Sequence, residues 1–82
     1  MKKPQFEIGE IVYAIFRKYK KYHLIGVITE ISYNEHALDG WWISIVPTSN
    51  PNNDPHVEYL IVNRIHLLIP ACDVHKIKEE RS

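Results

Sequence analysis

Glu10-Ile11-Val12-Tyr13-Ala14-Ile15-Phe16 is the stretch that decides the fold. Side chains alternate sides along a strand, so Val12, Ala14 and Phe16 share one face and Ile11, Tyr13 and Ile15 the other. The β-branched and aromatic content favours a strand. Trp41-Trp42-Ile43-Ser44-Ile45-Val46 repeats the pattern, with Trp41, Ile43 and Ile45 on one face. Trp42 and Val46 lie on the other, where Ser44 is the polar residue. A strand with one wet face should alternate apolar with polar. Here both faces are apolar.

Outward from these two runs, the chain reads as short apolar segments separated by turn residues. Tyr22 to Tyr33 is a long strand in which Gly26 marks a bulge or sharp bend. Asn34 to Gly40 is a polar loop ending in the turn pair Asp39-Gly40. Pro47 to Pro55 is a second loop. His56 to Val62 reads as a fourth strand, Asn63-Arg64-Ile65 as a tight turn, and His66 to Ile69 as a last strand ended by Pro70.

Five short strands in so few residues cannot build an ordinary sandwich, but they can close into a small bent barrel. The expectation is an all-β chain. Residues 1–70 form a five-stranded barrel, and residues 71–82 form a C-terminal tail or short helix. Asp73 would cap that helix, and Val74 and Ile77 would give it one weak apolar stripe.

The 82 residues fit one domain, and a hydrophobic fraction of 45% argues against disorder. The single cysteine, Cys72, cannot form an internal disulfide. No Asn-x-Ser/Thr sequon occurs, no apolar signal core follows the basic Met1–Phe6 start, and no run could span a membrane. These features point to the cytoplasm. Net charge is zero, yet residues 1–23 carry +4, residues 24–63 carry −5 and residues 64–82 carry +1. Such a dipolar surface can orient a charged partner, or it can simply keep the chain soluble.

Phe6-x-Ile8-Gly9-Glu10-x-Val12-x-Ala14 resembles the opening of SH3-like small barrels, the broad group that includes Tudor-like and KOW-like domains. Gly26-x-Ile28-x-x-Ile31 resembles their second strand. Glu58 to Leu68 resembles their ending, a strand, a 3₁₀ turn and a last strand. The resemblance implies a small barrel that binds proteins, methylated side chains or nucleic acids, depending on the member. The chain departs from nucleic-acid-binding members in having no net positive charge, and from peptide-binding SH3 domains in having a basic first loop.

Two surfaces stand out. Ile11, Tyr13, Ile15, Trp42 and Val46 form an outward apolar set, large enough in transfer energy to hold a protein partner or a second copy of the chain. Coverage by the tail is the other explanation. Arg17, Lys18, Tyr19, Lys20, Lys21 and Tyr22 form a basic and aromatic loop that could meet phosphates and unpaired bases, with His23 beside it. A solubilising loop explains the same residues.

Tyr13, Tyr33, Trp41, Trp42 and Tyr59 could supply a cage for a methylated cation, although adjacent Trp41 and Trp42 must point to opposite faces. The histidines, His23, His36, His56, His66 and His75, lack the spacing of a metal site; His36 with Asp39 is the nearest approach. There is no phosphate-cradling glycine loop and no nucleophile elbow, and Cys72 with His66 or His75 lacks an orienting third group. The expectation is therefore a non-catalytic binding module, with no cofactor, metal, membrane or small-molecule substrate.

Overall fold

The computed structural model describes residues 4–35 and 40–77. It is mostly β. Strands β1 (Ile11–Arg17), β2 (Lys21–Tyr33), β3 (Trp41–Ser49), β4 (Leu67–Pro70) and β5 (Val74–Lys76) form one antiparallel sheet in the order β4-β3-β2-β1-β5. The expected number of strands is present: the strand expected at residues 66–69 is β4, the one expected at 56–62 is absent, and β5 is an addition. The sheet is open, with β4 and β5 at its edges, and is not closed into the expected barrel. One short helix, α1 (Pro55–Val62), and a 3₁₀ turn at Ala71–Asp73 complete the description.

The first three strands follow the alternation. Val12 and Ala14 pair with Gly26 and Leu24, and Ile28 pairs with Ile45. These inward residues are buried together with Ile43, Leu67, Ile69 and Val74, and α1 seals them with Val57 and Leu60. The ladder slips between Ile25 and Gly26 and again between Ile28 and Glu30. Such slips bend the bulged strand and increase its twist, so β2 serves β1 with its first half and β3 with its second. Pro47, which has no N–H to donate, sits opposite Gly26 at the first slip and prolongs β3 into the segment expected to be loop.

Residues 56–62 are helix, a correction to the strand reading. Asp54 is the N-cap, and its Oδ1 accepts from the His56 backbone N–H at 2.8 Å. Pro55 takes the first helical turn, where its missing N–H costs nothing. Val57, Leu60 and Ile61 then lie on one helical face against the core. The helix ends in a Schellman motif: the Ile65 N–H donates to Leu60 O at 3.0 Å and the Arg64 N–H to Ile61 O at 3.1 Å. Arg64 carries the left-handed φ of 52° that this motif needs.

The C-terminal reading is corrected as well. Residues 74–76 are a strand, not a helix, because Val74, His75 and Lys76 pair with Ala14, Tyr13 and Val12. Val74 belongs to the core, so the sheet extends past the boundary expected at residue 70. The strand–3₁₀–strand ending therefore lies at residues 67–76 and not at 58–68. Residues 78–82, the rest of the expected tail, lie outside the described residues, as do His36 and Asp39. No helix of the described residues is long and apolar enough to cross a membrane.

Candidate functional site: the outward face of the sheet

The helix and the core occupy one face of the sheet. On the other face lie Ile11, Tyr13 and Ile15 of β1, His23, Ile25 and Val27 of β2, and Trp42 and Val46 of β3. None of these reaches full burial, and Ile11 is 56% exposed. All five residues of the expected apolar set therefore point away from the core, divided between a row across three strands and a groove.

Ile11 and Val46 are joined through Val27, which pairs with both, giving an apolar row across three strands. Tyr13 stands in the next row, opposite Ile25 on one side and His75 on the other. Its hydroxyl shares a 2.6 Å hydrogen bond with His23 Nδ1. Val27 and Ile25 were missed in the sequence because they lie in a run whose faces the bulges scramble.

Ile15 and Trp42 line a groove. β1 approaches β4 without hydrogen-bonding to it, and a groove of about 420 Å³ opens there. Ile15, Phe16, Trp42, Leu68 and Pro70 are among its apolar walls, while Arg17, Asp73 and Cys72 stand at its polar side. Leu68, 56% exposed, lies in β4, the strand expected at residues 66–69, but was left out of the outward set. The alternation of Leu67, Leu68 and Ile69 is the signal that gives it.

The basic loop is less available than its composition promised. Arg17 Nε lies 3.0 Å from Asp73 Oδ2, and Lys20 Nζ lies 3.0 Å from Asp54 Oδ2. Tyr22 is in the core, 7% exposed, packed between Phe16 and His56 at ring-centroid distances of 6.2 and 4.7 Å. It cannot stack on a base, which corrects that part of the expectation. Lys18, Tyr19 and Lys21 remain exposed, with the Lys18 ammonium over the Tyr19 ring at 5.6 Å. Of the aromatic set, Tyr33 and Trp41 meet edge-on at 5.1 Å, while Tyr59 lies against His56 on the helix. Tyr13 and Trp42 stand at the separate places described above.

The ion pairs tie the ends of the sheet together and set an acid dependence. Hydrogen bonding to Lys20, and then to the His56 N–H, holds the Asp54 carboxyl below its ordinary value of 3.8. Hydrogen bonding to Lys76 holds the Glu10 carboxyl below 4.5. A carboxyl depressed in the folded state contributes stability above its unfolded value and loses it as pH falls through the folded one. The melting temperature is therefore expected to stay flat from neutral pH down to about 4.5 and to fall below it. The pairs are largely solvated, so the slope is shallow. Thermal melts of the wild type and of a Lys20→Met/Lys76→Met variant check this, since the variant should show the shallower acid limb.

Comparison with known proteins gives no family-model match, no match among curated proteins and none among solved structures.

Proposed function

We propose that this chain is a non-catalytic binding module that contacts another protein through the outward residues Ile11, Tyr13, Ile15, Trp42 and Val46. One observation carries the reading: the helix lies on the core side, and the opposite side still bears the cross-strand row Ile11–Val27–Val46. Apolar area left in contact with water is worth ~25 cal/mol per Å² when a partner covers it. The strand order, with a 3₁₀ turn between β4 and β5, supports the likeness to SH3-like small barrels, as does the approach of β1 to β4. A cytoplasmic location is part of the same proposal, supported by the lone cysteine, Cys72.

Nucleic-acid contact through Arg17, Lys18, Tyr19, Lys20 and Lys21 is the weaker reading, because two of the four cations already face carboxylates. Affinity capture from a lysate, with and without nuclease, separates the two. A nuclease-resistant protein held by the wild type should be lost to an Ile11→Asp/Val46→Asp variant by at least about tenfold. Equal capture by both chains refutes the protein reading, as does no capture by either when the wild type is also monomeric in solution. Capture that nuclease abolishes favours the loop.

A further inference from the structure

We infer that the occupant of this face is a second copy of the chain, docked antiparallel across β2 about a two-fold axis. The inference rests on the protein-binding reading and names its partner. β2 is 13 residues long, and its outward side begins with Lys21, His23, Ile25 and Val27, opposite Arg17, Ile15, Tyr13 and Ile11 of β1. The slip between Ile28 and Glu30 brings Glu30 opposite Ser44, which lies on the same side as Trp42 and Val46. A cation, an apolar middle and an anion therefore follow one another along a single strand.

The two charges are uncommitted. Lys21 and Glu30 are both exposed, and neither has an ion-pair partner among the described residues. Arg17, Lys20 and Lys76, by contrast, each face a carboxylate within about 3 Å. The midpoint between Lys21 and Glu30 falls between Ile25 and Gly26.

A two-fold axis crossing β2 at that midpoint sets Lys21 of each copy against Glu30 of the other, so the charge contact is made twice. Ile25 then meets its counterpart, and Val27, flanked by Ile11 and Val46, packs beside Ile25 of the other copy. An axis running along the strand would instead set Lys21 on Lys21 and Glu30 on Glu30, which like-charge repulsion disfavours. Zero net charge removes any overall repulsion between copies.

Size-exclusion chromatography with light scattering, over a concentration series at low ionic strength, tests the arrangement. The wild type should reach the dimer mass. Lys21→Glu and Glu30→Lys should each weaken dimerisation by at least about tenfold, because each places two pairs of like charges face to face. An equimolar mixture of the two variants should recover the wild-type mass, since every contact then joins opposite charges. The double variant should recover it alone.

A wild type that stays monomeric overturns the inference, and the capture experiment then decides the protein-binding reading separately. A dimer indifferent to either reversal, or one that mixing does not restore, overturns the antiparallel arrangement. Circular dichroism reports folding of each variant. If a reversal fails to fold, the wild-type dissociation constant is followed with salt. Weakening as salt rises supports the paired charges, and no change overturns them.

Discussion

Gly26→Ala is expected to destabilise the chain by roughly 2–3 kcal/mol, a fall in Tm of about 10–20 °C for a domain of this size. A Cβ on Gly26 would lie 2.5 Å from the Val46 carbonyl oxygen and 2.5 Å from Ile45 Cγ2. Neither can yield cheaply. The carbonyl belongs to the backbone of β3, and Ile45 is fully buried. Gly26 is also held from the other side by its pairing with Val12. The available relief is to part β2 from β3 at the slip that bends the sheet.

Gly9→Ala is the control. Gly9 has a φ of 95° but open space around its missing Cβ. That substitution should cost about 1 kcal/mol from backbone strain alone. Urea unfolding of both variants distinguishes close approach from strain. Equal losses at the two positions would show that Gly26 is not packed as described.

The same glycine shows what the sequence could disclose. Its place inside a long apolar run marks a bend, and a bend is there. The alternation of residues 10–16 and 41–46 places Val12, Ala14, Ile43 and Ile45 inward, and all four are buried. Residues 56–62 were not legible in the same way. Val57, Tyr59 and Ile61 alternate as a strand would, while Val57, Leu60 and Ile61 recur as a helix would. Eight residues are too few for periodicity to decide. The deciding signal lay just upstream, in Asp54-Pro55, an N-cap followed by a residue suited to the first turn of a helix.

The outward face was half legible for a related reason. Ile11 and Val46 can be assigned to it from their own strands, but what joins them is Val27, and its register depends on two slips that only the paired structure shows. The Ile15–Trp42 groove depends on how closely β1 approaches β4, which positions along the chain do not show. Charge pairing is also invisible along the chain. Arg17 and Asp73 are 56 positions apart, and Lys20 lies in the β1–β2 turn while Asp54 caps α1, yet these contacts neutralise half of a loop that looks uniformly basic.

A chain ending at Pro70 is expected to be unfolded at 25 °C, whereas a chain ending at Ile77 should melt cooperatively. The sequence alone would place a domain boundary at residue 70; the sheet continues to residue 76. Cutting at Pro70 strips β5 from β1, exposing the edge beside Val12 and Ala14, which are otherwise wholly buried. It removes Val74, 4% exposed, whose burial is worth ~1.5–3 kcal/mol. It also removes Asp73 from Arg17, and Lys76 from both Glu10 and the Phe6 ring. A domain of this length has only ~4–12 kcal/mol of stability in total, so losing a core residue and a strand together consumes most of it.

Two full-length variants separate the causes. Val74→Ala should cost about 2 kcal/mol and leave a cooperative transition. Val74→Asp puts an unpaired carboxylate into the core and should abolish folding at neutral pH. Far-UV circular dichroism and amide chemical-shift dispersion read all four chains. A dispersed spectrum and a wild-type-like melt from the chain ending at Pro70 would mean that β5 merely rests on the sheet edge, with the core complete without it.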